Sequence, residues 1–215
     1  MTTIEASVRP EDLSQVPAGS ERIPEAGILV IFGASGDLTK RKLLPALFHL
    51  RQVDLLPKQF AIVGVARRPL GDKFAADMRE GIVQFGGAEA SDPRLDEFVG
   101  RISYFPLKFD DPASYAGLDA ELDRIARERG IGGKRLFYLA TAPEFFAGII
   151  KNLGAQGMAQ PEQGKVSVVI EKPFGHDLES ARELNRQVNA VFHESQVFRI
   201  DHYLGKETEI GRAHV

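Results

Sequence analysis

The sequence predicts a doubly wound α/β domain, in which a mainly parallel sheet carries helices on both faces. Short apolar, β-branched runs alternate with longer segments of helical periodicity, and such an alternation indicates parallel strands joined by right-handed crossovers. The first and fifth runs are apolar on both faces, which is typical of strands covered by helices on each side. The predicted strands are Ile28–Phe32, Ala61–Val65, Ile102–Phe105, Leu136–Ala140, Val166–Ile170 and Val197–Ile200.

Five helices are predicted between these strands, and two of them carry entry signals. Asp110-Asp111-Pro112 offers an N-cap carboxylate followed by a proline suited to the first helical position. Thr141-Ala142-Pro143-Glu144 offers a second entry of the same kind. The predicted helices are Arg41–Gln52, Lys73–Phe85, Ser114–Arg129, Phe145–Leu153 and Leu178–Glu194.

The composition excludes several classes of protein. Hydrophobic residues make up 43% of the 215 residues and charged residues 27%, as in ordinary globular proteins. A formal net charge of −3 without any long Lys/Arg block argues against nucleic-acid and membrane-surface partners. The absence of cysteine excludes disulfides and thiol catalysis. Residues 1–26 lack the pattern of a secretory signal, so we interpret them as a disordered leader and expect a cytoplasmic protein.

A glycine-rich turn follows the first predicted strand and precedes a helix rich in Leu and Ala. Glycines let a backbone approach an anion, and the unpaired amides of the first helical turn stabilise it. The spacing G-x-x-G matches the dinucleotide pattern only in part, and no Gly-Lys-Ser/Thr closes the loop as in ATP or GTP hydrolases. An ordinary βα turn that uses glycine for a positive φ is the alternative. The predicted cofactor residues of this segment are Gly33, Ala34, Ser35, Gly36, Asp37, Leu38, Thr39 and Lys40.

The end of the second predicted strand indicates which dinucleotide the turn would hold. Ala66-Arg67-Arg68 stands where NAD-binding folds usually carry an acidic residue for the ribose diol. A carboxylate would repel a 2′-phosphate, whereas a guanidinium can bind one through two charge-assisted hydrogen bonds. The sequence therefore predicts NADP⁺ in preference to NAD⁺, with Arg67 as the better candidate and Arg68 as either a helper or a solvated side chain. Two solvated arginines at a strand end are the alternative.

Several segments in the expected order resemble glucose-6-phosphate dehydrogenases, over about residues 27 to 208. Together the second and third of them are very specific, whereas a G-x-x-G turn alone is weak. The three signature segments are Gly33–Lys42 (GASGDLTKRK), Glu171–Gly175 (EKPFG) and Arg199–Lys206 (RIDHYLGK), and Asp110–Tyr115 and Arg135–Ala140 also resemble the family.

The resemblance implies oxidation of glucose 6-phosphate at C1 to the phosphogluconolactone, the first step of the oxidative pentose phosphate route, with hydride transfer to NADP⁺. It places Lys172 near both substrate and nicotinamide, with Pro173 shaping the bend there. It makes Tyr138 part of the cofactor site and Asp201 the carboxylate that orients the catalytic histidine. A His–Asp pair suits this reaction because the carboxylate fixes the imidazole tautomer of the base.

The resemblance assigns the sugar phosphate to His202, Tyr203 and Lys206, and it makes Lys172 a further substrate-binding residue. Because His202 and Lys206 are four residues apart, one helical turn would direct both toward a phosphate. For His49, His176 and His193 we expect surface or packing roles, and for the pair Phe145-Phe146 core filling. No metal site is predicted.

The domain organisation follows from the same resemblance. We assign residues 1–26 to the leader, 27–200 to a Rossmann-like NADP-binding domain and 201–208 to the start of a substrate domain. Residues 209–215 do not resemble the family, and we interpret them as a non-native tail encoded by read-through into a sequencing adapter. The family's catalytic histidine and β+α domain would lie further on, so we expect the 215-residue chain to be inactive alone and monomeric, and the parent protein to be a homodimer or homotetramer.

Two other functions stay open on the residues alone. A non-catalytic module could bind NADP(H) and regulate a partner without turnover. A different short-chain or sugar-nucleotide oxidoreductase normally needs a Tyr-x-x-x-Lys pair on one helix, but Tyr203 and Lys206 are separated by only two residues. Tyr138 has no lysine four positions later either.

Overall fold

The computed structural model describes residues 23–160 and 165–200. They form one six-stranded sheet in the order β3-β2-β1-β4-β5-β6, and every neighbouring pair of strands is parallel. The chain starts in the middle, winds to one edge and then returns past β1 to the other edge, so the predicted doubly wound fold is confirmed. The strands are β1 (Gly27–Phe32), β2 (Phe60–Ala66), β3 (Ile102–Pro106), β4 (Arg135–Leu139), β5 (Val166–Glu171) and β6 (Val197–Ile200).

Helices connect these strands and cover both faces of the sheet. One face and its helices α4 to α6 share a first core, and the other face shares a second core with α1 to α3. All seven residues of β2 are buried, and its side chains alternate between the cores, as Val63 and Ile62 do. The helices are α1 (Leu44–Gln52), α2 (Lys73–Gly86), α3 (Pro93–Val99), α4 (Pro112–Arg129), α5 (Phe146–Ala155) and α6 (Leu178–Asn189).

Three helical features differ from the prediction. The short helix α3 was not predicted, although Asp92 caps it by accepting a hydrogen bond from the amide of Arg94 at 2.9 Å. The first helix begins at residue 37 rather than Arg41, because a π-helical turn, Thr39–Leu43, precedes α1. The last helix ends at Asn189, and a separate 3₁₀ turn, Glu194–Gln196, leads into β6.

A helical segment begins with a proline at both predicted entries, but only the first of them has a side-chain cap. Asp111 caps α4 by accepting a hydrogen bond from the amide of Ala113 at 3.1 Å. After β4 a 3₁₀ turn, Pro143–Phe145, begins at Ala142 without a side-chain cap. The hydroxyl of Thr141 is buried and has no hydrogen-bond partner among the described residues.

Several predicted features lie outside the described residues. They include most of the leader, the substrate-domain residues Asp201, His202, Tyr203 and Lys206, and the tail at 209–215. Within 23–160 and 165–200, no helix combines the length and apolar character that crossing a bilayer requires.

Candidate functional site

The turn after β1 is bound to the end of β2. The amides of Gly33 and Ala34 donate to the carbonyl of Val65 at 2.8 and 3.2 Å, and the amide of Gly36 donates to the carbonyl of Gly33 at 2.9 Å. A helix starts directly afterwards, at residue 37. Because the first amides of a helix lack intrahelical partners, this helix start presents hydrogen-bond donors at the carboxyl edge of the sheet.

Gly33 allows this turn to touch the segment that follows β4. Its φ is +82°, in the region that favours glycine, and a Cβ built on it would lie 2.4 Å from the carbonyl oxygen of Ala140. The same Cβ would lie 3.0 Å from Cγ2 of Thr141. The turn and the β4 segment therefore meet at the point between β1 and β4 where the strand order reverses, which is where doubly wound proteins bind ligands.

An open cleft of about 690 Å³ lies at this point, and we call it the switch-point cleft. Its walls come from the turn after β1, the end of β2 and the segment after β4. Such a position combines backbone amides with cationic side chains, so it suits a phosphate-bearing ligand. The lining residues are Gly33, Ser35, Gly36, Ala66, Arg67, Arg68, Pro69, Phe109, Thr141, Ala142 and Phe145.

The predicted cofactor residues of the turn divide into three groups. Gly33, Ser35 and Gly36 line the cleft, whereas Asp37 and Leu38 begin the helix beside it. The other three have contacts elsewhere: Ala34 packs in the second core, Thr39 is fully buried, and Lys40 forms an ion pair with Glu80.

Lys40 and Thr39 are better placed to support the turn than to touch a ligand. Nζ of Lys40 donates to Oε2 of Glu80 on α2 at 2.6 Å, and this hydrogen bond raises the pKa of Lys40. The Oγ1 atom of Thr39 is buried without a hydrogen-bond partner among the described residues. The direct cofactor contacts predicted for these two side chains stay predictions.

Arg67 and Arg68 follow β2 and line the cleft, as the sequence predicts. The guanidinium carbon of Arg67 lies 5.1 Å from the ring centroid of Phe145, which stands on the opposite wall. Both arginines are exposed, so their charge faces the open cleft. Together with the helix start at residue 37, they make the cleft attractive to anions.

Tyr104 is a supporting residue that the sequence analysis did not identify. Its hydroxyl donates a short hydrogen bond to the backbone carbonyl of Arg68, and the carbonyl of Ala66 lies 3.3 Å away. Its ring packs against Phe74 with centroids 4.8 Å apart, and burial raises the pKa of Tyr104. Tyr104 therefore fixes the backbone that carries the two arginines. The available signal was a tyrosine within the strand that comes next in sequence after β2, the strand that Arg67 follows.

Tyr138 and Glu171 form a second polar pair at the same edge of the sheet. Tyr138 on β4 lies opposite Val169 on β5, so Glu171 is its diagonal neighbour and accepts the hydrogen bond of its hydroxyl. Burial, and then Glu171, raise the pKa of Tyr138. Tyr138 does not line the switch-point cleft, and its hydroxyl is directed to Glu171, so its predicted cofactor contact stays a prediction.

Lys172 begins the segment after β5, at the carboxyl edge where the sequence analysis placed it. Since β4 separates β5 from β1, Lys172 is displaced from the turn after β1 by two strand spacings, or about 10 Å. The peptide bond between Lys172 and Pro173 is cis. Within residues 23–160 and 165–200, no group of three or more acidic or histidine side chains is placed to hold a metal ion.

The family comparison identifies the chain over most of its length. Residues 30–209 match the family model described as "Glucose-6-phosphate dehydrogenase, NAD binding domain". The chain is 44% identical over 186 residues to a glucose-6-phosphate 1-dehydrogenase of Chlamydia pneumoniae and 43% identical over 180 residues to one of Bacillus subtilis strain 168. Each alignment covers 84% of this chain and 36% of the relative, so the chain spans little more than a third of their length.

Solved structures agree with the sequence comparison. The chain superposes with a TM-score of 0.76 on a glucose-6-phosphate dehydrogenase in complex with glucose 6-phosphate, at 37% identity, and the match covers 86% of this chain and 38% of that one. A glucose-6-phosphate 1-dehydrogenase from Mycobacterium avium gives a TM-score of 0.72 at 36% identity, covering 85% of this chain and 37% of that one.

Proposed function

The chain belongs to the glucose-6-phosphate dehydrogenase family, and from that premise we propose that its domain binds NADP⁺ in the switch-point cleft. The observation that carries the proposal is the position of Arg67, which faces the cleft across from the glycine turn. A turn that binds the pyrophosphate and an arginine that binds the adenosine 2′-phosphate are the two recognition elements an NADP⁺ site needs. Arginines rather than an acidic residue directly follow β2, where a carboxylate would bind a ribose diol, and this disfavours NAD⁺.

We propose that the full-length protein oxidises glucose 6-phosphate at C1 to the lactone. When bound, NADP⁺ supplies the nicotinamide that accepts the hydride from C1. The protein must remove the C1 hydroxyl proton and hold the phosphate while this happens. In the proposal, Asp201 orients the histidine that accepts the proton, and His202, Tyr203 and Lys206 bind the phosphate.

Lys172 is the residue we propose to act between cofactor and substrate. It directly follows β5 at the carboxyl edge of the sheet, on the same side of β1 as β4. A cation there can donate hydrogen bonds to the sugar and stabilise negative charge that develops on the C1 oxygen. Glu171, held by Tyr138, fixes the end of the strand that carries Lys172.

An assay of NADPH formation tests the catalytic proposal. The full-length protein should reduce NADP⁺ in the presence of glucose 6-phosphate and not with glucose alone, because the phosphate ligands contribute the binding energy that positions C1. A protein that binds NADP⁺ but reduces none of it with glucose 6-phosphate would instead be the non-catalytic regulatory module.

The two ends of β5 supply a matched pair of variants for this assay. Lys172→Gln should lower kcat/KM about tenfold or more, because a charged hydrogen-bond donor is lost at the reacting carbon. Lys165→Gln lies at the opposite end of the same strand, where Lys165 pairs with Glu25 at 2.8 Å, and should leave kcat/KM unchanged. Equal effects of both substitutions would contradict the role of Lys172.

The location and the assembly that we expect of the full-length protein follow from its family. We propose that the full-length enzyme works in the cytoplasm as a homodimer or homotetramer, with glucose 6-phosphate as its substrate partner. Sedimentation of that protein would measure the assembly directly.

A further inference from the structure

Phe145 lies against the guanidinium of Arg67, and both residues line the switch-point cleft. It ends the 3₁₀ turn after β4, whereas Arg67 follows β2, so the contact joins the two walls of the cleft. The guanidinium carbon is 5.1 Å from the ring centroid, within the range of a cation–π interaction. The sequence analysis assigned Phe145 and Phe146 to the core alike, and only Phe146 is fully buried.

The ring of Phe145 has a fixed support. It makes an edge-to-face contact with Phe109 at 5.5 Å between centroids, and Phe109 makes another with Phe32 at 6.1 Å. Phe32 is fully buried in the first core. Phe145 therefore packs against buried aromatic rings and also contacts the guanidinium of Arg67.

Arg67 keeps its charge available for an anion. Among residues 23–160 and 165–200, no carboxylate forms an ion pair with Arg67, and its guanidinium contacts the ring of Phe145. No oxygen atom of the described residues accepts a hydrogen bond from the guanidinium, so its five N–H donors remain able to bind a phosphate. The ring thus restrains a long side chain without using any of its hydrogen-bond donors.

We propose that Phe145 is a specificity-determining residue that positions Arg67 for the 2′-phosphate of NADP⁺. The inference rests on the proposed cofactor site and adds a residue to it. A flexible arginine must be ordered when the phosphate binds, and a guanidinium already held over a ring loses less freedom in that step. Since NAD⁺ has no 2′-phosphate, Phe145 should affect the affinity for NADP⁺ much more than the affinity for NAD⁺.

Calorimetric titration of the 215-residue chain with each cofactor tests the inference. Phe145→Leu, which keeps the apolar wall but removes the π face, should weaken NADP⁺ binding roughly fivefold and NAD⁺ binding less than about twofold. Phe145→Tyr, which keeps the π face, should restore the affinity for NADP⁺. Adenosine 2′,5′-bisphosphate and adenosine 5′-phosphate, used as probes, should repeat the same difference because they isolate the 2′-phosphate.

A second pair of variants separates positioning from general support of the cleft. In an Arg67→Ala background, Phe145→Leu should have no further effect on NADP⁺ affinity, because the group it positions is gone. Two results would overturn the inference and leave the proposed site standing. One is that Phe145→Leu weakens NADP⁺ and NAD⁺ binding equally, and the other is that it weakens NADP⁺ binding as much in the Arg67→Ala background as in the wild type. Wild-type protein without any preference for NADP⁺ would overturn the proposed function as well. Thermal unfolding of each variant shows whether it is folded, and Phe145→Met provides a more flexible apolar replacement should Phe145→Leu unfold.

Discussion

Replacing Arg67 with glutamate is expected to weaken NADP⁺ binding by about 100-fold while changing NAD⁺ binding less than about threefold. The substitution removes a guanidinium that would donate charge-assisted hydrogen bonds to the 2′-phosphate, and it places a carboxylate where that phosphate would lie. The guanidinium stands on the wall of the cleft, over the ring of Phe145, so its loss acts at the ligand rather than through the fold. Isothermal titration of both cofactors measures the two affinities.

The neighbouring arginine supplies the control. Arg68 lines the same cleft and carries the same charge, but its backbone carbonyl, not its side chain, accepts the hydrogen bond of Tyr104. Arg68→Glu should therefore weaken NADP⁺ binding by less than about tenfold, mainly through the change in net charge, and added salt should reduce that effect. If both substitutions weakened NADP⁺ and NAD⁺ to the same extent, Arg67 would not be the residue that selects the 2′-phosphate.

Gly33→Ala is expected to lower the free energy of unfolding by about 3 kcal/mol and to weaken NADP⁺ binding at least about tenfold. The new Cβ would lie 2.4 Å from the carbonyl oxygen and 2.8 Å from the carbonyl carbon of Ala140, both backbone atoms that cannot rotate away. The φ of +82° adds conformational strain. To fit the methyl group, the turn must separate from the β4 segment, which displaces the amides that face the cleft. Chemical denaturation and titration with NADP⁺ measure the two effects.

Gly130→Ala separates strain from collision. Gly130 has a similar φ of +62° at the end of α4, and a Cβ there would have nothing within 4 Å. This variant should lose about 1 kcal/mol of stability from backbone strain alone and bind NADP⁺ normally. Equal losses of stability in the two variants would mean that the close approach to Ala140 is not what requires glycine at position 33.

The sheet could be predicted from the sequence because its signals are local. The apolar runs at Ile28–Phe32 and Ala61–Val65 lie within the central strands β1 and β2, and helices separate all the strands. Helix α3 is only seven residues long, so its periodicity covers barely two turns and its cap at Asp92 is the main signal. The π-helical turn at Thr39–Leu43 has no propensity signal of its own.

The cleft was predictable only in part, because several of its contacts join distant segments. The roles of the glycine turn and of Arg67 could be predicted from their residue types and from their positions directly after strands. Tyr104 and Phe145 act on the arginine segment from other strands and turns, so their roles depend on tertiary contacts that spacing does not reveal. Lys40 belongs to the glycine segment in sequence, yet its charge is directed to Glu80 on α2.

Titration of the unmodified 215-residue chain with NADP⁺ and NAD⁺, followed by backbone amide chemical shifts, tests the central claim most directly. We expect NADP⁺ to bind at least about tenfold more tightly than NAD⁺, because only NADP⁺ carries the phosphate that Arg67 can bind. We also expect the largest shift changes at Gly33, Ser35 and Gly36, at residues 66–69 and around Phe145, all of which line the switch-point cleft, and at the helix start beside it. Equal affinities for the two cofactors, or shift changes concentrated away from this cleft, would contradict the account.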